Sequence, residues 1–382
     1  MKAVTNRSAR DPKIVVFAYR SQDPPSTFIQ RHIDDIGGGA GHFMQLHDWS
    51  VPTLGSAAIW SSTVFGRLLR KLRVRLGASI ETLHREAFAS VLGRLRPDAV
   101  LAEFGYSGTH IMETCRSLEI PLVVHFHGTD INRGDLFEKY KAGYQRLGEL
   151  AGALITVSEL EKAKLIGIGI PADKVHVIPC GAVLPDDRPA KSRQAGGPCE
   201  IVSTTRMSEV KAPHLILVAF QKFLERGGEG TLHMIGDGPL LPFCESLARG
   251  LGIRKRCVIH GNIAHEAVHE LLARADMYVQ HSVVARDGDC EGMPVSLMEA
   301  AGYALPIVTS GVGGIPEYFE DGKTAWIVEE YDTEAMAERM YEIWSDPECA
   351  ARIGKAARQL ALEQFDAKKQ ALAVMELVLS SC

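Results

Sequence analysis

The sequence has no unbroken hydrophobic run of membrane-spanning length; the uncharged stretch from Ala300 to Pro316, for example, is interrupted by Gly and Pro. A helix needs about 20 consecutive apolar residues to cross a bilayer, so no membrane span is expected. Eight cysteines stand at positions 115, 180, 199, 244, 257, 290, 349 and 382 with no CxxC spacing. That scatter argues against a disulfide framework or a zinc site and for reduced thiols in a cytoplasm. The first residues, MKAVTNRSARDPK, lack the apolar segment of a secretory signal, which points the same way. There is no excess of basic charge either: 42 Lys and Arg face 47 Asp and Glu, a net charge of −5. Nucleic-acid binding driven by overall charge is therefore excluded. What is present is apolar substance, 46% of 382 residues, with 23% charged. Such a chain buries large cores, and its length fits two domains.

The 36 glycines cluster just after short apolar runs. β-Rich runs without alternation occur at Lys13 to Tyr19, Ala99 to Ala102, Leu122 to Phe126, Leu154 to Val157 and Val175 to Ile178. The pattern restarts at Ile201 to Thr204, Leu232 to Ile235, Cys257 to Ile259, Met277 to Gln280, Ile307 to Thr309 and Trp326 to Val328. Runs of this kind read as strands buried on both faces, each set a parallel sheet of βα units. Two doubly wound α/β domains in tandem are expected. The first spans 1–183, a linker rich in Pro, Gly and charge spans 184–199, and the second spans 200–362. A helical pattern from about 363 to 382 has no strand after it.

Ligands of open α/β sheets bind beyond the carboxyl ends of the strands. Here those ends carry His127-Gly-Thr-Asp130, Arg206 and Lys211, Gly236-Asp-Gly-Pro239, His260-Gly-Asn262 and Gly311-Val-Gly-Gly314. The densest segment is Glu291-Gly-Met-Pro-Val-Ser-Leu-Met-Glu299. Pro294 suits the first turn of a helix, which leaves Glu291 in the loop before it and Glu299 inside. Free backbone N–H groups between Gly292 and Ser296 then make an anion site. A carboxylate offers two acceptors matched to vicinal hydroxyls. Two glutamates flanking a phosphate-binding helix start suggest a sugar nucleotide, with Arg206 and Lys211 adding positive charge to its diphosphate. Plainer readings stand beside these: a solvated helix face for the glutamates, a surface pair for Arg206 and Lys211, a buried structural His127, and a tight turn for GDGP. The segment from Trp49 to Ile80 carries Arg67, Arg70, Lys71, Arg73 and Arg75 and no acidic residue. Trp60, Val64, Leu68 and Leu72 recur there at helical spacing, so the helix either packs into a core or lies on anionic lipid.

In the Glu-x7-Glu segment, the Arg206 to Lys211 pair, GDGP and GGIPE (Gly313 to Glu317), the chain resembles the retaining glycosyltransferases of family 4, which have the GT-B architecture. PPSTFIQRHI, VVHFHGTDI and DGDCEGMPV resemble the subgroup that makes bacterial exopolysaccharides such as colanic acid. The resemblance implies two Rossmann-like domains facing across a cleft, with the terminal helix crossing back to the first. It further implies that Arg206 and Lys211 bind the diphosphate and that Glu299 holds the ribose. Glu291 would meet the donor hexose, Gly292, Met293, Pro294 and Val295 would contribute backbone contacts, and His127 would face the sugar from the other domain. Gly236 and Asp130 are expected at the substrate as well. The implied reaction moves a hexose from a nucleoside diphosphate sugar, UDP- or GDP-linked, to a hydroxyl of a glycan or lipid-linked acceptor, with retention and without metal or cofactor. Asp287-Gly-Asp289 resembles the metal motif of another glycosyltransferase fold, but no metal is expected here. Glu103 stands where the subgroup often has His and receives no role. The alternatives are a sugar-nucleotide epimerase of the same architecture and a non-catalytic sugar-nucleotide-binding protein. The expected location is cytoplasmic, peripheral on the inner face of the membrane.

Overall fold

The computed structural model describes residues 12–19, 26–36, 42–46, 53–55, 57–59, 64–186 and 195–381. The first half forms β1 (Ile14–Tyr19), β2 (Phe43–Leu46), β3 (Thr53–Leu54), β4 (Ala57–Ala58), β5 (Ala99–Glu103), β6 (Leu122–His125), β7 (Ala153–Thr156) and β8 (Val175–Val177). They make one sheet in the order β4-β3-β2-β1-β5-β6-β7-β8. Every residue of β1, β5, β6 and β7 is buried, the physical reason that these segments read as continuous apolar runs. The second half forms β9 (Cys199–Thr204), β10 (Gly230–Ile235), β11 (Cys257–Gly261), β12 (Met277–Gln280), β13 (Ile307–Ser310) and β14 (Trp326–Val328). Their order is β11-β10-β9-β12-β13-β14, all parallel, the doubly wound arrangement with its switch point between β9 and β12.

The first sheet departs from the expected parallel set. β3 pairs antiparallel with both β2 and β4, around a turn in which Gly55 has φ +56°. Two-residue strands are too short to show any periodicity, and β2, with Gln45 between apolar neighbours, was not among the expected runs. The linker expected over 184–199 lies outside the described residues between 187 and 194.

Each sheet is covered on both faces. In the second domain one face packs Leu297, Met298, Ile307 and Phe365, the other Phe220, Phe223, Met340 and Trp344. In the first domain one face holds Phe17, Phe88, Phe126 and Tyr144. The other is closed by the last helix, Ala367–Ser380, whose Ala371, Val374 and Val378 pack on Ile14, Ala99, Leu101, Val123 and Ile155. The preceding helix, Pro347–Gln364, belongs to the second domain through Ala357 and Ala361. The chain end therefore crosses back to the first domain. At the crossing the Ala182 N–H donates to the Phe365 carbonyl (2.7 Å) and the Ala367 N–H to the Ala182 carbonyl (3.0 Å). Gly181 (φ +72°) lies so close that a Cβ there would sit 2.8 Å from the Ala367 Cα. Outbound and returning segments thus run side by side.

Phe365 anchors this crossing: it is fully buried, with the rings of Tyr318 and Phe319 at 5.4 and 5.9 Å. Phe365→Ala is expected to cost about 3–5 kcal/mol, measured as a fall in the urea midpoint.

Candidate functional site

The second-domain half of the site gathers at the switch point. The helix Val295–Gly302 begins after Pro294, which occupies its N-cap (φ −66°), and places Glu299 on its inner turn, 7% exposed. Glu291 lies in the loop before it, as expected. Lys211 reaches it from the loop after β9, Nζ to Oε1 at 2.6 Å, and the Ser282 hydroxyl beyond β12 donates to the same oxygen at 2.9 Å. A largely buried carboxylate requires such a cation. Arg206, four residues before the Val210–Lys211 pair, is exposed. Its charge acts on Asp289, whose carboxyl is pushed up to about 6 by burial and by the neighbouring Asp287 and Glu291. Asp287-Gly-Asp289 itself is a turn: Gly288 has φ +81° and the Ala285 N–H donates to the Asp289 carbonyl.

The glycines serve backbone approach. A Cβ on Gly313 would stand 1.8 Å from the Glu291 carbonyl oxygen, and one on Gly314 2.1 Å from that of Gly292. The GGIPE loop is therefore laid directly on the segment that carries Glu291. Gly236 (φ +128°) lies against the Thr205 carbonyl oxygen, 2.0 Å from a Cβ placed there. Its contact is with the loop that presents Arg206, so it shapes the site through that loop. Met293 turns its side chain into the core, and Val295 packs on the same cluster.

In the first domain His127 follows β6. Its Nε2 is 2.7 Å from Glu103 Oε2 and its Nδ1 3.3 Å from Cys180 Sγ, while Glu103 Oε1 meets His32 Nδ1 at 2.6 Å. Glu103 is fully buried. Burial alone would raise its carboxyl, but the charge of His32 and the hydrogen bonds from His127 and His32 outweigh it and hold the group well below the usual range. Sequence reasoning missed this role for Glu103. The available signal was a carboxylate ending an apolar strand, a position that demands a buried partner. Asp130, expected at the substrate, gives its oxygens to backbone: the Gly105 N–H donates to Oδ2 (2.6 Å) and the His127 N–H to Oδ1 (2.9 Å). Fully buried, it ties the loops after β5 and β6 together and so holds His127 in place.

The two halves touch. The Gly134 N–H donates to the Asp287 carbonyl (2.9 Å) and Asn132 Nδ2 to that of Cys290 (3.3 Å), while a Cβ on Gly128 would be 3.4 Å from the Gly292 nitrogen. Glu317 of the GGIPE loop accepts the backbone N–H groups of Glu159 (2.6 Å) and Leu160 (2.8 Å) at the start of the first-domain helix Glu159–Gly167. A carboxylate at a helix N-terminus is favourably placed against the helix dipole. The Tyr318 hydroxyl adds a bond to the Val157 carbonyl (3.0 Å). The arrangement faces an anion site with two carboxylates toward a fixed imidazole, which suits a polyhydroxylated, anionic ligand.

Burial raises the Glu299 carboxyl to about 7, against a countering charge from Arg31. The folded state then keeps a proton that the unfolded chain releases, so stability falls as pH rises from about 4.5 to about 7. Glu299→Gln is expected to gain stability relative to wild type over that window, on the order of 3 kcal/mol at about 1.4 kcal/mol per unit, read from urea midpoints at pH 5 and 8.

Comparison with known proteins agrees with this geometry. Residues 56–184 match the family Glycosyltransferase Family 4, and residues 186–360 match Glycosyl transferases group 1. The chain is 32% identical over 273 residues to the amylovoran biosynthesis glycosyltransferase AmsK of Erwinia amylovora, covering 70% of this chain and 67% of that one. It is 26% identical over 344 residues to a protein of Escherichia coli named as the colanic acid biosynthesis glycosyltransferase WcaL, covering 83% and 84%. Among solved structures, HepE of Anabaena in complex with UDP superposes with a TM-score of 0.72 at 18% identity, over 97% of this chain and all of that one. The readings as an epimerase or as a non-catalytic binder give way to transfer, for the chain belongs to glycosyltransferase family 4, in its exopolysaccharide-synthesising subgroup.

Proposed function

We propose that this glycosyltransferase takes a hexose from a UDP- or GDP-linked sugar and passes it to a hydroxyl of a glycan or lipid-linked acceptor, with retention at the anomeric carbon. The observation that carries the reading is the convergence of Lys211, Glu291, Glu299 and the start of the helix Val295–Gly302 at the switch point of the second sheet, opposite His127. Structural likeness to HepE, solved with UDP, supports a nucleotide donor.

In this reading Glu299 accepts the ribose hydroxyls, and the helix start with Arg206 receives the diphosphate. Lys211 has three N–H donors, so it serves the diphosphate while keeping Glu291. Among the described residues, both side-chain contacts of Glu291 go to Oε1, which leaves Oε2 to a donor hydroxyl. The bond from the anomeric carbon to the phosphate oxygen breaks as the acceptor oxygen attacks from the same face, and the acceptor proton passes to the leaving diphosphate. The charge that develops there is met by fixed cations and N–H groups, so we assign the reaction no metal and no cofactor. Arg206→Ala is expected to lower kcat by roughly 100–1,000-fold with an unchanged melting temperature, since the side chain is exposed. A chelator is expected not to lower turnover. Full activity in the variant would overturn the diphosphate assignment.

The acceptor side is a proposed membrane-facing surface. Among the described side chains of the helix Val64–Arg75, Leu68 and Leu72 are 63% and 50% exposed, and Leu76 just after it 78%, next to Lys71 and Arg75. Of the residues read with it, Trp60 and the side chain of Val64 lie outside what the structure describes. Arg73 pairs with Glu86 through two hydrogen bonds of 2.6 and 2.7 Å, which fixes the helix to its neighbour Ile80–Leu95. Exposed leucines among cations fit an anionic lipid surface. No helix among the described residues is long and apolar enough to cross a membrane, so the attachment we propose is peripheral, on the cytoplasmic face. The chain is expected to float with phosphatidylglycerol vesicles at low salt and to lose them in Leu68→Glu/Leu72→Glu. Absence of binding by the wild type would refute the membrane surface.

A further inference from the structure

Two histidines beside Glu299, His265 and His269, have no part in the mechanism above. The helix His265–Arg274 places His265 and His269 one turn apart on the same face, their Nε2 atoms 2.8 Å from each other. Glu299 Oε1 lies 3.8 Å from His265 Nε2. The three ligand atoms are all within 4.8 Å of one another. Four-coordinate zinc with bonds of about 2.0–2.1 Å sets its ligands about 3.4 Å apart, a spacing bracketed by the two distances.

A second observation concerns orientation. His269 Nδ1 is 2.8 Å from the Tyr303 hydroxyl, at the end of the helix that carries Glu299. When Nδ1–H donates to that oxygen, Nε2 keeps its lone pair and points at His265. This is the outer-shell hydrogen bond that metal-binding histidines use to fix ring and tautomer. His265 is 42% exposed along its side chain, so an ion can enter from solvent and retain a water. Two imidazoles and one carboxylate select Zn2+, Co2+, Ni2+ or Cu2+ over Mg2+ and Ca2+.

We propose that His265, His269 and Glu299 form a binding site for a zinc-class transition-metal ion and that its occupancy excludes the nucleotide donor. The first half stands on the geometry alone; the second rests on the reading of Glu299 as the ribose ligand. A carboxylate committed to the metal cannot accept the ribose hydroxyls, so the two ligands compete and zinc turns the transferase off.

The test titrates the full chain, stripped by a chelator, with Co2+ and follows the visible absorption of the four-coordinate ion. One equivalent is expected, displaced by Zn2+ and not by Mg2+. Affinity should fall at least about tenfold in His265→Ala and in His269→Ala, and about tenfold in Tyr303→Phe. Circular dichroism accompanies each variant, and the more exposed His265 serves if His269→Ala does not fold. Unchanged affinity in a folded His265→Ala or His269→Ala chain overturns the site. So does loss of the equivalent in His127→Ala, which would place the ion in the first-domain cluster of His125, His127 and Cys180. Titration with UDP and GDP then tests the exclusion: the better-bound nucleotide should weaken Co2+ binding about tenfold. Site-specific Co2+ binding that ignores a bound nucleotide overturns the exclusion and, separately, the placement of ribose at Glu299.

Discussion

The contact on which the cleft depends is one between backbones. Gly313 and Gly314 rest on the carbonyls of Glu291 and Gly292 at a separation that leaves no room for a Cβ, and Gly128 of the other domain approaches Gly292 from across the cleft. Three loops from two domains therefore meet backbone to backbone, with the side chains of Val157, Ser158 and Glu161 packed beside them. Only glycine permits this. The start of the helix Val295–Gly302 is held from both sides by main chain. The same loop continues into Glu317 and Tyr318, whose side chains reach the first domain.

Around this contact, charge is buried only where it is answered. Glu291 has Lys211 and Ser282, Glu103 has two histidines, and Asp130 has two backbone donors. In the low-dielectric interior each unmatched group would be costly. Glu299 is a buried acidic residue of the proposed donor pocket whose carboxyl is raised chiefly by burial. That is consistent with a group whose polar partners arrive with a ligand.

Much of this could be read from sequence, for stateable reasons. Strands buried on both faces leave unbroken apolar runs, so β1, β5, β6, β7 and the six strands of the second sheet stood out within a residue or two at their ends. The position of Pro294 located the helix start and sorted Glu291 from Glu299. The hairpin of β3 and β4 did not stand out, because two residues carry no period. Partnerships were also hidden: nothing in the order of residues shows that Glu103 joins His32 to His127, 71 residues from one and 24 from the other. For Asp130 and Gly236 the sequence located the loops but not the backbone contacts they make there. Long-range pairing is decided by topology, and a strand-end residue looks the same in sequence whether it faces the cleft or braces the loop that does.

The paired crossing at Ala182 and Phe365 has a mechanical meaning. Domains joined by one strand of chain are tethered and retain many relative degrees of freedom. Here the outbound and returning segments are hydrogen-bonded to each other, and a rotation about the line they define is the motion that keeps those bonds while the cleft opens. The covalent path thus acts as a pin. A cleft that opened about this pin would close again with Gly128 against Gly292 in the register seen here.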